Sequence, residues 1–286
     1  MSLPTGETAI PTSESRSSSY LERMLNVLEA TVVARAEPLS LTEIVELAGV
    51  PLSTASRLVR QLVSWDFLAT DGRGRYVAGG RLVRLSITVT DRLHSVETLA
   101  AATESLSELT GESVTAGLLV GSTLLIVART ESRNSLRNVS RIGEVISPSL
   151  SALGKAMLSH LPHADRVRLL RAEHGRGADA MLRGLRDELT TAAAAGYAVD
   201  EETYAVGLRC RAAAIIGRDG RAVGGLSIGG PAARFTRELA AQAVVSLVAE
   251  TSRLSVADDL RHAARVPSES AHARSSHPTT TGRRNS

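Results

Sequence analysis

Residues 40–65 read SLTEIVELAGVPLSTASRLVRQLVSW, two short amphipathic helices joined by a tight turn. Ser40 and Glu43 have the S-x-x-E spacing of a capping box, which satisfies free N–H groups at a helix start. Leu41, Ile44, Val45 and Ala48 follow at i, i+3, i+4 and i+7, one apolar face. Gly49 is placed to end that helix, since a left-handed backbone costs glycine little. Pro51 suits the first turn of the next helix, where the N–H it lacks is not needed. There Ala55, Leu58, Val59, Leu62 and Val63 make an inner face, and Ser53, Thr54, Ser56, Arg57, Arg60 and Gln61 an outer one. Hydroxyl, amide and guanidinium groups are those that contact phosphates and base edges in a major groove. The pattern predicts a helix-turn-helix whose second helix reads DNA.

The flanking residues extend this reading. Phe67 and Leu68 begin an extended segment, Asp71-Gly72-Arg73-Gly74-Arg75 makes a turn, and Tyr76 and Val77 return. A hairpin with Arg73 and Arg75 at its tip is the wing of a winged helix-turn-helix. Residues 50–92 hold seven arginines and three aspartates, a local +4 against +3 for the whole chain. Positive charge concentrated in that way is the footprint of phosphate binding. Upstream, Ser19 and Glu22 form a second capping box, and Leu21, Met24, Leu25, Leu28 and Val32 line a helix expected to pack beneath the first two. The DNA-binding domain is placed at 19–79, after a disordered arm at 1–18 that is rich in Ser, Thr, Pro and Glu.

Residues 80–94 carry Leu82, Leu85 and Val89 at helical spacing and are read as a linker helix, packed either against a second copy or within its own chain. Beyond it, Leu99, Ala102, Thr103, Leu106 and Leu109 mark a helix stopped by Gly111. Strands are expected at 114–120, 123–128 and 136–141, helices at 151–161, 163–172 and 186–195, and a short extended run at 197–200. Asp219-Gly220 is a strong hairpin signal between strands at 212–216 and 222–228, and Gly229-Gly230-Pro231 is read as breaking the sheet. Thr236 then caps a helix with the stripe Leu239, Ala243, Leu247, Val248 and Leu254. Helices framing an antiparallel sheet make an α+β sensing domain, placed at 95–258, with a disordered tail at 264–286.

Composition bounds the function. Aromatic residues are only 2% of the chain, so its cores must be built from Ala, Leu, Val and Ile. One cysteine excludes an internal disulfide framework and suggests a reducing compartment. No run is apolar enough to span a membrane and no signal peptide is evident, so a cytoplasmic location is expected. The histidines lack partners at ligand spacing, and Lys155 follows no P-loop glycine pattern. Neither a metal nor a cofactor is expected.

Together these segments resemble the IclR family of bacterial transcription regulators. YLERMLNVLEA at 20–30 resembles that family's first helix, and 38–85 its winged helix-turn-helix and linker. RTESRNSLRNVSRIG, SALGKAML, GYAVDEETYAVGLRCRAA and DGRAVGGLSIGGPAARFT follow in the family's order, over residues 19–255 in all. The resemblance implies a winged-helix domain joined to a profilin- or GAF-like effector domain. It also implies homodimers or homotetramers on palindromic double-stranded operator DNA, often repressing catabolic operons, and response to a small organic acid. The family's pocket motifs fall here on Ala152, Leu153, Gly154, Asp200, Cys210 and Ser227. Free N–H groups at the helix start near 151–154 would attract a carboxylate. Three departures stand out: Gly229 where a serine is common, Ala214 where a proline is common, and Leu52 where a basic residue is common.

Two competing functions follow from the same residues. An enzyme would use Cys210 as nucleophile, but it needs a nearby base and no histidine lies between 174 and 262. A non-specific architectural DNA-binding protein would leave the long second domain without a purpose. No catalytic residue is assigned.

Overall fold

Ser40 caps the helix it was expected to cap: its Oγ accepts from Glu43 N at 3.3 Å, and Glu43 Oε2 accepts from Ser40 N at 2.8 Å. The computed structural model describes residues 19–33, 37–91, 95–134 and 140–256. The expected arm at 1–18 and tail at 264–286 lie outside the described residues, as does most of the strand expected at 136–141. The chain divides into two units after Asp91.

The first unit holds α1 (Tyr20–Val33), α2 (Leu41–Ala48), α3 (Leu52–Ser64), strands β1 (Leu68–Thr70) and β2 (Tyr76–Ala78), and α4 (Gly80–Asp91). Gly49 takes φ +63° and its N–H donates to Val45 O, so α2 stops where glycine allows a left-handed turn. Pro51 is the residue before α3 and not its first. Val27, Leu39, Ile44, Ala55, Leu58, Val59, Leu62 and Leu68 form the core. The α1 stripe needs correction. Leu21 and Leu25 are exposed, and the helix packs through Val27, Ala30 and Thr31, with Met24, Leu28 and Val32 half-buried. The two stripes lie about one residue apart around the helix, and only the tertiary contact selects between them. The wing pairs Leu68 with Ala78 and Thr70 with Tyr76. Along α4, Val83, Leu85, Ile87 and Val89 are exposed.

In the second unit α5 (Ser95–Thr110) leads into β3 (Ser113–Val120) and β4 (Thr123–Thr130). Then come α6 (Ala152–Ser159), α7 (His163–His174), α8 (Ala178–Gly184) and α9 (Arg186–Ala195). β5 (Ala198–Glu201), β6 (Leu208–Ile216), β7 (Ala222–Pro231) and α10 (Arg237–Val256) complete it. The five strands are antiparallel in the order β4-β3-β7-β6-β5. One sheet face packs on α5 and α10 through Leu99, Leu106, Ile215, Leu226, Ile228 and Leu247. The other packs on α6 to α9 through Leu153, Met157, Leu158, Leu170 and Leu189. Small strand residues let these helices approach closely. A Cβ on Gly225 would stand 2.7 Å from Leu153 Cδ1, and one on its partner Gly117 would stand 2.9 Å from Leu153 Cδ2.

Gly229-Gly230-Pro231 does not break the sheet: these residues finish β7, opposite Cys210, Arg209 and Leu208. β6 likewise begins at Leu208, ahead of Ala212, because Glu201 neutralises Arg209 and Arg211 and lets a charged stretch be buried. Leu109 and Leu239 are exposed, while α10 buries Ala240, Ala243, Leu247, Thr251 and Leu254. Ala214, where a proline is common, pairs with Gly225 in the β6–β7 ladder. Helix α8 was not anticipated, since its seven residues carry too short a period to register.

Candidate functional site

On α3 the outer face is presented as its pattern required. Ser53, Arg57, Arg60 and Gln61 are exposed, Thr54 and Ser56 half-buried. Tyr20, which the sequence reading did not single out, reaches this face from α1. Its hydroxyl is hydrogen-bonded to Gln61 Oε1, and the Arg57 guanidinium lies over its ring at 5.5 Å from the centroid. Tyr20 thereby holds two side chains of this face, Gln61 through its hydroxyl and Arg57 through its ring. The wing arginines differ from each other. Arg73 is exposed at the tip, its backbone N–H bound to Asp71 Oδ1 at 2.8 Å. Arg75 sends Nη1 to Pro38 O at 2.9 Å and so ties the wing to the α1–α2 connection. Arg81, counted in the basic excess, lies over the rings of Phe67 and Trp65 at 5.0 and 5.8 Å.

In the second unit a cavity of about 60 Å³ opens between the start of α6 and the sheet. Ala152, Leu153, Asp200, Cys210 and Ser227 line it. Antiparallel register brings them together: Asp200 pairs with Cys210, Cys210 with Gly229, and Ser227 with both Ala212 and Thr115. Gly154 does not line the cavity. A Cβ there would stand 2.5 Å from Ser147 O and Pro148 Cα, so this glycine lets α6 press against the preceding loop. Its N–H is taken by the capping Ser151 Oγ at 2.9 Å. Among the described residues, the helix-start N–H groups of Ala152 and Leu153 have no acceptor. Lys155, the chain's only lysine, is turned to Glu188 on α9 at 2.6 Å.

Further lining comes from Thr115, Ser140, Glu144, Ser151 and Tyr204. Thr115 was legible in principle, as an inward position opposite Ser227, but the loop residues carried no periodic signal. Burial pushes the Cys210 thiol up to about 12, with Asp200 adding to the shift and Arg211 opposing it. The group is therefore a neutral thiol near neutral pH. Burial also raises the Tyr204 hydroxyl, with Glu144 adding to it. Among the described lining residues there is no lysine, arginine or histidine.

Two family models match the chain: the IclR helix-turn-helix domain over residues 20–72, and the bacterial transcriptional regulator IclR C-terminal domain over residues 87–256. The chain belongs to the IclR family. This family member is 30% identical over 221 residues to the HTH-type transcriptional regulator BhcR of Paracoccus denitrificans, covering 76% of this chain and 78% of that one. It is 27% identical over 226 residues to the transcriptional repressor IclR of Escherichia coli, covering 76% and 81%. An IclR homolog from Microbacterium hydrocarbonoxydans, crystallised with 4-hydroxybenzoate, has the same fold: TM-score 0.62 at 24% identity, covering 82% of this chain and 100% of that one.

As an IclR-family member the protein is a DNA-binding transcriptional regulator and not an enzyme. Among the described residues no helix is long and apolar enough to cross a membrane.

Proposed function

We propose that this IclR-family regulator binds a palindromic double-stranded operator as a homodimer or homotetramer and represses a catabolic or neighbouring operon. A small organic acid then modulates that binding. Residues 19–79 would contact DNA through Ser53, Thr54, Ser56, Arg57, Arg60, Gln61, Arg73 and Arg75. The 80–94 linker would join them to an effector and oligomerisation domain at 95–258, and the protein would act in the cytoplasm. Three observations support the reading: the exposed outer face of α3, the exposed Leu85 and Val89 one turn apart on α4 and available to a second copy, and the cavity at α6 with its hydroxyl-bearing lining residues. The repressor named for the Escherichia coli relative and the 4-hydroxybenzoate bound to the Microbacterium homolog point the same way.

The single observation that carries most weight is the cavity. It combines unpartnered helix-start N–H groups with the hydroxyls of Thr115 and Ser227, a set of donors able to hold a carboxylate. Ligand bound there would change the placement of α6 on the sheet, and two half-sites must be met at once for tight operator binding. Fluorescence anisotropy on the protein's own upstream DNA tests this, with random DNA as competitor and a panel of keto, hydroxy and aromatic acids titrated in. Specific binding altered by one acid is expected. Binding no tighter than to random DNA, on this and on genomic fragments, would refute it.

A further inference from the structure

Asp200 is buried at 1% exposure and has only one of its two carboxylate oxygens engaged. Oδ1 accepts from the backbone N–H groups of Thr203 at 2.8 Å and Tyr204 at 3.2 Å. Oδ2 is buried without a partner, in a residue that lines the cavity. A buried, unpaired carboxylate oxygen is costly unless something donates to it. Among the described lining residues there is no lysine, arginine or histidine, and the second acidic side chain there, Glu144, cannot donate when ionised.

We infer that the effector brings the missing donor: it is a monocarboxylic acid that also carries a hydroxyl or an ammonium group, which hydrogen-bonds to Asp200 Oδ2. This rests on the organic-acid reading above and narrows it. The carboxylate end is taken by the donors at the start of α6, and the donor end by Asp200. A dicarboxylate is disfavoured, because its second anion would meet Asp200 and Glu144 with no cation among the described lining residues to offset them. A simple acid without a donor leaves Oδ2 unpaired and gains nothing from it.

The arrangement of Oδ1 supplies a sharp test. In Asp200→Asn the amide oxygen takes over the bonds from Thr203 and Tyr204 N–H, which turns the NH₂ group to the position of Oδ2. The acceptor facing the cavity becomes a donor, so the preference among ligands should invert. Calorimetric titration of the full-length protein would use two matched sets: propanoate, lactate, alanine and malonate, then benzoate, 4-hydroxybenzoate, 4-aminomethylbenzoate and terephthalate. In at least one set the hydroxyl- or ammonium-bearing acid is expected to bind about ten- to a hundredfold tighter than its unsubstituted parent. Whichever of the two wins identifies the donor.

In Asp200→Asn, with circular dichroism and melting unchanged, that advantage should vanish and pass to the dicarboxylate. The inference is overturned if the parent acid or the dicarboxylate binds wild type as tightly as the substituted acid. An unchanged ranking in Asp200→Asn, or no binding by any of the eight, overturns it equally. Operator anisotropy on the same samples separates the two readings. A dicarboxylate that releases DNA would keep the organic-acid reading and sink this one, whereas intact operator binding indifferent to every acid would sink both.

Discussion

Cys210 and Gly229 face each other across β6 and β7, and a Cβ on Gly229 would stand 2.8 Å from the Cys210 sulfur. The glycine at a position where a serine is common is thus a steric counterpart of the buried thiol. Adding a side chain there forces the sulfur, and with it one wall of the cavity, to move.

Gly229→Ser should therefore destabilise the second unit by about 1–3 kcal/mol, the usual cost of overpacking. Combining it with Cys210→Ala should recover most of that loss, because the atom in the way is gone. Urea denaturation of the single and double variants measures the coupling. Strict additivity would show that the two residues do not compete for the same space.

On the outer face of α3, Arg57→Ala should weaken operator binding about ten- to a hundredfold and leave acid binding intact. Tyr20→Phe is the subtler change. It keeps the ring beneath Arg57 but removes the hydroxyl that holds Gln61, so the loss should be a few-fold and concentrated at one base pair. Anisotropy on operators with single-base changes reads both; a uniform loss across sequences with Tyr20→Phe would contradict a positioning role.

The two wing arginines should separate by salt dependence. Arg73→Ala should lower the slope of log affinity against log salt by about 1, as one phosphate contact is lost. Arg75→Ala should appear first as a stability loss of about 1 kcal/mol, since its guanidinium holds Pro38 O. Melting curves beside salt titrations distinguish these outcomes.

Acid should act through Glu201. Burial alone would raise its carboxyl, but hydrogen bonds and charge from Arg209 and Arg211 outweigh that and hold it at about 2, against an ordinary 4.5. The contacts are short, 2.7 Å to Arg209 Nε and 2.5 Å to Arg211 Nη2. Because the folded value is depressed, this stabilisation is complete above pH about 4.5 and is lost as pH falls toward 2. Glu201→Gln should cost on the order of 1–3 kcal/mol near neutral pH, after allowance for partial solvent screening. It should also flatten the fall in stability between those two pH values, measured by denaturation across that range.

The sequence by itself determined the local structures, because capping, turn and periodic signals are properties of neighbouring residues. Ser40 with Glu43, Gly49 at φ +63° and the outer face of α3 all follow from spacing within one helix or turn. The hairpin at Asp219-Gly220 follows in the same way. Tertiary structure decided what depends on distant residues. Which stripe of α1 is buried depended on α2 and α3, and the length of β6 on the neutralisation of Arg209 and Arg211 by Glu201. Tyr20 joined the outer face of α3 from 41 residues away in the chain. The cavity belongs to the same class. Its walls come from Thr115, Ala152, Asp200, Cys210 and Ser227, and sheet register, which no short-range pattern encodes, places them together. Register also decided that Asp200 would be buried with one oxygen still lacking a donor.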